Sequence, residues 1–456
     1  MYRAIKWMIL IALVIISFSG WVWGRVYLDI DSPTLQKIPI AVTDVLTLTN
    51  EQWGKGTDTW LSGNLSAALE LTGLFQSIPK EAFLEDQKPR PFSVDTIHFE
   101  DWSAIGAEYV IKGRFNVLPG GREMVVTWRL FDAVERKMVL EKQCRGRTDN
   151  RGDLVYPFVD DLLNALTGER GIFDTRVAIV QKKGSTWRVI SIAFDGTGLA
   201  SLMAGDALVI TPRWSPDGKQ LAYTSYQDGQ PALYIRTING RQARKIASFP
   251  GINLAGPWSP DGRKLLMTLS KDGNEEIYVM ELKSGRLDRL TNHPAIDVSP
   301  TWSPDGRSIA FVSSRSGAPQ IYVMNSDGSN IRRLTFDGPY NSSPAWSPRG
   351  NRIAYEGRKD GFFQIFTLET DGSKLVQVTS GSKNHESPTW SPDGRYLAFG
   401  VRDGGAYSIC VSNSGGTGLR VLYESKDPCR SPIWSPRLSS SHILEAQPSI
   451  SSLLTR

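Results

Sequence analysis

The tripeptide Trp-Ser-Pro returns at a constant interval through the second half of the chain. The interval is 44 residues without drift, and the tripeptides begin at Trp214, Trp258, Trp302, Trp346, Trp390 and Trp434. Repeats of about 40–45 residues with strand-like content are typical of β-propeller blades. Six repeats at one spacing therefore predict a ring of similar structural units.

Each repeat contains apolar stretches at the places where further strands are expected. Alternating residues such as Leu221–Ser225 indicate a second strand, and Ile277–Met280 is typical of the third. Turn dipeptides such as Asp327-Gly328 come next, followed by a short last strand such as Leu334-Thr335. Four short strands separated by turns make one propeller blade.

The first and last repeats are incomplete in complementary ways. Residues 177–202 carry the later strands of a blade without a preceding Trp-Ser-Pro, whereas the repeat at Trp434 has an innermost strand and no followers. We expect the two parts to combine into a sixth blade, because a closed ring leaves no long open sheet edge. The predicted fold class is an all-β six-bladed propeller at residues 171–438, preceded by a small α/β domain at residues 25–170.

The front domain does not follow the repeat. Val26–Ile30 and Ile38–Val45 resemble strands, and Thr59–Phe75 has the apolar spacing of a helix. Three alternating stretches from Tyr109 predict an antiparallel meander, and an amphipathic helix is expected to end at Gly168.

The first 24 residues have the pattern of a secretory signal. Arg3 and Lys6 precede the apolar run Met8–Gly20, and Gly24 offers a small residue before a polar chain. We expect cleavage near Gly24 and a periplasmic protein. The alternative is an uncleaved anchor, although a run of 13 residues is short for a span of about 20. Residues 439–456 are serine-rich and are expected to form a disordered tail.

Charge and cysteine content limit the classes of function. Without residues 1–24, 50 basic residues face 47 acidic ones, which gives no electrostatic argument for nucleic-acid binding. The three cysteines are too few for a disulfide framework. Cys410 and Cys429 either form one bridge around the last blade or are packed thiols.

The sequence lacks the usual equipment for catalysis. Its four histidines show no HExxH spacing, and neither a GxSxG nor a P-loop motif is present. Propellers with WSPDG repeats also precede peptidase domains, but only 18 residues follow Leu438. We therefore predict a protein that is not an enzyme. An exported peptidase or lyase, or a propeller that binds glycan or lipid, is the alternative.

The aspartates of the WSPDG motifs allow two interpretations. They could form a ring of metal ligands, or they could serve the turn that follows each innermost strand. Two repeats carry Arg349 and Arg437 in place of the aspartate, which favours the turn. No cofactor is predicted, and Ca²⁺ in the channel is left open.

Polar residues recur where the chain enters each innermost strand. The residues five positions before each tryptophan are Val209, Asn253, Asp297, Asn341, His385 and Cys429, with His293, Tyr340, Glu386 and Arg430 nearby. We expect this ring at one mouth of the central channel, because loops on rigid scaffolds often carry function. It is either a docking surface for a partner protein or a set of solvated loop residues.

The whole arrangement resembles the TolB family of the Tol-Pal system. The resemblance is carried by Tyr109–Gly113, by Ala165–Phe173 (ALTGERGIF) and by the six repeats, and it covers residues 25–438. It implies a monomeric, non-enzymatic periplasmic adaptor that supports outer-membrane integrity and invagination during cell division. Its implied partners are the lipoprotein Pal, TolA and other outer-membrane or peptidoglycan-associated proteins.

The resemblance also implies two binding sites. Pal would bind at the channel mouth, where the candidate residues are Asn253, His293, Asp297, Asn341, His385, Glu386 and Arg430. TolA would bind the start of the mature chain, at Arg25, Val26, Tyr27, Leu28, Asp29, Ile30, Asp31 and Ser32. This alternating segment either docks by strand addition or is simply the first strand of the front domain.

Overall fold

The computed structural model describes residues 36–48, 56–84, 92–238, 240 and 242–438. The expected signal, the segment 25–32 and the tail 439–456 lie outside the described residues. The described chain forms a small domain of mixed sheet and helices, followed by a six-bladed β-propeller. The predicted fold class is confirmed.

One six-stranded sheet organises the small domain. Its strands are β1 (Ile38–Val42), β2 (Leu46–Thr47), β3 (Phe75–Ser77), β4 (Tyr109–Val117), β5 (Glu123–Asp132) and β6 (Lys137–Arg147). The order is β3-β1-β4-β5-β6, with β2 paired to β4. β1 pairs in parallel with β3 and with β4, and β2 pairs in parallel with β4, whereas β4 to β6 form the predicted antiparallel meander.

In the described part of this domain, four α-helices accompany the sheet, with short 3-10 helices at Lys80–Ala82 and Val94–Thr96. The α-helices are α1 (Thr57–Leu71), α2 (Phe99–Ala104), α3 (Arg151–Leu154) and α4 (Tyr156–Thr167). The longer two bury apolar side chains in the same core as Trp128, whose ring stacks on Phe158 at 5.8 Å between centroids. Gly113 makes room for that ring, since a Cβ there would lie 2.7 Å from the indole. None of the helices in the described part of the chain is long and apolar enough to span a bilayer.

The predicted first helix is shorter than expected. It ends at Leu71, and Phe75 begins β3 instead of closing the helix. Gly73 explains the difference, because its φ of 71° lies in the left-handed region that glycine adopts without strain and that reverses the chain after a helix.

Five blades are formed by four consecutive strands each, from the channel outwards. Blade 1 comprises β10 (Val209–Trp214), β11 (Gln220–Ser225), β12 (Ala232–Thr237) and β13 (Ala243–Ala247); blade 2 comprises β14 (Asn253–Trp258), β15 (Lys264–Leu269), β16 (Glu276–Glu281) and β17 (Leu287–Arg289). Blade 3 comprises β18 (Asp297–Trp302), β19 (Ser308–Ser313), β20 (Gln320–Asn325) and β21 (Arg332–Arg333). Blade 4 comprises β22 (Asn341–Trp346), β23 (Arg352–Lys359), β24 (Phe362–Glu369) and β25 (Val376–Gln377); blade 5 comprises β26 (Asn384–Trp390), β27 (Tyr396–Asp403), β28 (Ala406–Asn413) and β29 (Arg420–Ser425).

The sixth blade joins the two ends of the propeller. Its innermost strand is β30 (Cys429–Trp434), and the others are β7 (Arg176–Lys183), β8 (Thr186–Ala193) and β9 (Ala200–Gly205). Trp434 pairs with Val177, and its indole N–H donates to Thr175 Oγ1 at 2.8 Å. The predicted completion of the first repeat by the last strand is confirmed.

The WSPDG motif stabilises the turn after four of the six innermost strands. In blade 1, Asp217 Oδ1 accepts hydrogen bonds from the Ser215 hydroxyl at 2.6 Å and from the Lys219 N–H at 3.0 Å. The same bonds recur at Asp261, Asp305 and Asp393. The aspartates therefore serve the turn, as one of the two interpretations predicted.

The two motifs that carry arginine contact the linker between the domains, which is residues 168–175. Arg349 forms an ion pair of 2.6 Å with Glu169, which lies directly after α4. Arg437 lies 3.0 Å from the carboxylate of Asp174 and donates to the Arg170 carbonyl at 2.7 Å. Both departures from the repeat thus attach the propeller to the chain that enters it.

Candidate functional site: the channel mouth

The six predicted mouth positions lie at the start of the innermost strands, and all six side chains are buried. Asn253 shows why: its amide donates to the carbonyls of Phe249 and Gly251 and accepts from the Phe249 N–H. Asn341 likewise donates to the Asp337 carbonyl at 2.7 Å. These side chains therefore hold the mouth loops together from below.

Asp297 and His385 are buried in the same position. One carboxylate oxygen of Asp297 accepts a hydrogen bond from Arg315 at 2.7 Å, and burial raises the pKa of this carboxyl. His385 packs edge-on against Phe399, with 5.7 Å between centroids, and burial lowers the pKa of its imidazole.

A buried polar network recurs beneath the mouth of three blades. Its members are Glu276, Gln320 and Gln364, each the first or third residue of its strand. Each accepts a hydrogen bond from a threonine two residues after the outermost strand of its blade. Gln320 also accepts from the Asn341 amide at 2.8 Å, and Glu276 accepts from the His293 N–H at 2.7 Å. Satisfied buried networks rigidify a structure, so the mouth loops are held in one arrangement.

The side chains of Asn253, Asp297, Asn341 and His385 do not form the surface of the mouth, because all four are buried. Their place in the fold is as expected, and whether they contribute to partner binding stays a prediction. Asp297 Oδ1 and His385 Nδ1 have no hydrogen-bond partner among the described residues. The other three candidates do reach solvent: His293 and Glu386 are partly exposed, and Arg430 is exposed. Whether these three bind a partner stays a prediction.

The exposed rim of the mouth is formed by the residues one position earlier. They are Leu208, Ile252, Ile296, Tyr340, Asn384 and Pro428, and five of the six are apolar. Ile296 is 47 % exposed and Tyr340 37 %. Phe336, on the loop before blade 4, is 72 % exposed and lies beneath the guanidinium of Arg333 at 4.9 Å.

A second ring lies just inside the rim, at the second position of five innermost strands and the third of β26. It consists of Ile210, Leu254 and Val298 on blades 1 to 3, and of Ser342, Glu386 and Arg430 on blades 4 to 6. The mouth is therefore apolar on one half and polar on the other. Burial, and then the neighbouring Glu356, raise the pKa of Glu386, while Arg402 and Arg430 oppose that rise.

The described residues offer little chemistry besides this surface. They contain no group of three or more histidines, cysteines and acids arranged to hold a metal ion. Cys144, Cys410 and Cys429 are free and buried, so the last two are packed thiols and not the disulfide that was the alternative. A second concavity of about 770 Å³ lies between the domains, next to Tyr396, whose hydroxyl donates to the Thr72 carbonyl at 2.6 Å.

The fold and the mouth define a class of protein: a six-bladed propeller that carries a small mixed domain and presents rigid loops around one end of its channel. Residues 163–438 match the family model described as the TolB β-propeller domain, and residues 26–139 match the TolB amino-terminal domain. The chain belongs to the TolB family.

Individual relatives are consistent with this assignment. The chain is 48 % identical over 232 residues to the Tol-Pal system protein TolB of Syntrophus aciditrophicus, which covers 50 % of this chain and 51 % of that protein. It is 34 % identical over 219 residues to the protein of the same name from Nitrosomonas europaea, 48 % of each chain. The matches thus span about half the length of these curated relatives.

A solved structure extends the similarity over both domains. The crystal structure of TolB from Acinetobacter baumannii superimposes with a TM-score of 0.75 at 26 % sequence identity. The match covers 88 % of this chain and 97 % of that one.

Proposed function

We propose that this protein is a non-enzymatic adaptor of the Tol-Pal system that binds Pal at the mouth of its propeller channel. Membership of the TolB family and the names of its relatives support a place in this system. The observation that carries the proposal is the exposed apolar rim on loops that a buried network holds rigid. Apolar, aromatic side chains on a preformed surface are typical of protein interfaces.

The rim also suggests how a partner is recognised. Ile252, Ile296 and Tyr340 supply apolar contact area on blades 2 to 4, and Phe336, on the loop that leads to blade 4, is exposed as well. Glu386 and Arg430 provide charges on the opposite half, where they set the orientation of a bound partner more than its affinity.

Calorimetry with the soluble domain of Pal from the same organism tests this proposal. We expect saturable 1:1 binding, and we expect the double variant Phe336→Ala/Tyr340→Ala to weaken it at least tenfold, since exposed aromatic residues dominate interface energies. The matched control is Leu419→Ala, because Leu419 is 58 % exposed at the opposite end of blade 5.

If the rim variant and the control bind Pal with equal affinity, Pal does not bind at this face. Denaturant unfolding of each variant checks that weaker Pal binding is not caused by loss of the folded state. Asp297→Arg or His385→Ala would be poor tests, because both side chains are buried and their loss disturbs the loops themselves.

The remaining roles follow from the family and complete the proposal. The protein acts in the periplasm after cleavage near Gly24, and its residues 25–32 bind TolA, so that the adaptor supports outer-membrane integrity and invagination at division. Deleting residues 25–32 is expected to abolish TolA binding and leave Pal binding intact. Loss of both interactions, or of neither, would contradict separate sites.

A further inference from the structure

One ring of residues deep in the propeller has no part in the proposed docking surface. It is formed by the residue directly before the tryptophan of each innermost strand: Arg213, Pro257, Thr301, Ala345, Thr389 and Ile433. Five of the six are partly accessible, whereas the residues directly before them are all buried. Since innermost strands surround the channel of a propeller, this ring lines the channel below the mouth.

Hydrogen-bonding side chains alternate with apolar ones around this ring. Arg213, Thr301 and Thr389 belong to blades 1, 3 and 5, and the apolar members belong to blades 2, 4 and 6. Alternate blades of a six-bladed ring are related by about one third of a turn. Donors therefore approach the channel from three evenly spaced directions. The hydroxyl oxygen of Thr389 accepts the Trp434 N–H at 3.2 Å, which leaves its own proton to donate.

Arg213 is the unusual member of the set. It forms no ion pair with the described residues, and its Nε is buried without a hydrogen-bond partner among them. Burial alone lowers the pKa of its guanidinium, to about 10, with no charged neighbour contributing. The charged residues of the second ring, Glu386 and Arg430, lie closer to the start of their strands than Arg213 does to the start of its own.

A partly buried cation without a counterion is stabilised by an anion that supplies the opposite charge. Pro257 and Ala345, at equivalent positions, show that the repeat does not require a charged side chain here. The backbone of Arg213 is also fixed, because its carbonyl accepts the Trp258 indole N–H at 3.2 Å. The guanidinium therefore extends from a fixed backbone position, and its Nε–H has no hydrogen-bond partner among the described residues.

We propose that the central channel binds a small oxyanion between the Arg213 guanidinium and the hydroxyls of Thr301 and Thr389. Phosphate and sulfate suit three donors arranged around an axis, and guanidinium groups bind oxyanions through paired, charge-assisted hydrogen bonds. A carboxylate presents the same chemistry with two oxygens. The site is independent of partner docking at the rim.

Titration of the full chain with inorganic phosphate, sulfate and acetate, each at an ionic strength held constant with chloride, tests the site. Calorimetry is expected to give one saturable site for phosphate or sulfate. Arg213→Gln, which removes the charge and keeps a polar side chain of similar reach, should weaken it at least tenfold. Thr301→Val, which removes only a hydroxyl, should weaken it by a smaller factor.

The matched control is Arg430→Gln, since Arg430 is an exposed arginine of an innermost strand at the mouth. Its phosphate affinity should equal that of the unmodified protein. Saturable binding of acetate alone would support the site and identify its ligand as a carboxylate. No response to any of the three oxyanions, or equal affinity with and without Arg213, would overturn it.

A stability measurement keeps the test decisive if the variant folds poorly. In chloride buffer without oxyanion, Arg213→Gln should unfold at a temperature no lower than the unmodified protein, because it removes a partly buried charge that has no counterion. Phosphate should then raise the unfolding temperature of the unmodified protein only. The proposal would be overturned if Arg213→Gln unfolded at a lower temperature in chloride and if phosphate raised its unfolding temperature as much as that of the unmodified protein. Arg213 would then have a purely structural role.

Discussion

Asp160 is a buried carboxyl at the point where the small domain meets the linker. It is 1 % exposed, and its Oδ1 accepts the Phe173 N–H at 3.1 Å. Burial, and then the nearby Asp174, raise its pKa to about 7, while the Phe173 N–H, Arg170 and Arg437 oppose that rise. The carboxyl of the unfolded chain ionises near 3.8, so folding favours the protonated form.

This difference between the pKa of Asp160 in the folded and the unfolded chain predicts that the free energy of unfolding falls as the pH rises. Between about 4 and 7 only the unfolded state loses the proton, so the free energy of unfolding decreases across this range and levels off above it. Asp160→Asn keeps the acceptor for Phe173 and cannot ionise. We therefore expect it to be more stable than the unmodified protein by a few kcal/mol at pH 8, and about equal at pH 4.

Urea unfolding at the two pH values measures this effect. Asp161→Asn is the control, because it makes the same change on the next residue of the helix and alters only a surface pair with Lys142. If Asp160→Asn shows no gain at pH 8, the buried carboxyl does not set the pH response.

At the scale of elements, the linker is held by contacts that the repeat itself does not need. Glu169 receives Arg349 at 2.6 Å and Arg395 at 3.0 Å, from blades 4 and 5. Arg437 of the last strand's turn reaches the linker from blade 6. A propeller blade with the usual aspartate could not make the first or the last of these contacts.

Arg349→Asp restores the WSPDG motif of blade 4 and is nevertheless expected to destabilise the protein. It places a second negative charge near Glu169 and removes an ion pair that is only partly buried, so the expected loss is about 1 kcal/mol. Trypsin should also cleave the linker at Arg170 faster. Arg307→Asp makes the same charge change on an exposed turn of blade 3, and a similar loss there would show that the linker contact is not responsible.

The repeat predicted the strands well and the mouth residues poorly, for one reason. Alternate residues of a strand point in opposite directions, so an error of one position exchanges buried and exposed side chains. The ring at Asn253, Asp297 and Asn341 is buried, whereas Ile252 and Ile296, one residue earlier, form the rim. The polarity of these three residues was misleading, because their side chains form hydrogen bonds with the mouth loops. The linker contacts of Arg349 could not be predicted, since they join residues that no periodicity relates.

At the scale of the whole molecule, stability depends on the sixth blade. Trp434 is 5 % exposed, and its ring lies 6.0 Å from that of Phe194, in a core that extends into the small domain. Its indole N–H bonds to Thr175, outside its own strand. By contrast, Trp346 is partly exposed and bonds to Gly350 within its own turn.

Trp434→Ala should therefore lower the free energy of unfolding more than Trp346→Ala does. We expect a loss of about 3–5 kcal/mol in the free energy of unfolding for the first, as for other buried tryptophans, and clearly less for the second. Denaturant unfolding measures both losses. Hydrogen exchange should show β7 losing protection in Trp434→Ala alone, and equal behaviour of the two variants would contradict a special role for ring closure.

The closing blade also fixes an order in time. Thr175 and Trp434 are 259 residues apart in the chain, and a ribosome makes the first long before the second. Until the last strand has been synthesised, β7 presents an unpaired inner edge, the kind of edge to which other chains add. Contacts between such distant residues also form slowly. A chain that terminates before Trp434 cannot close this edge, so premature termination yields an aggregation-prone product in place of a slightly shorter propeller.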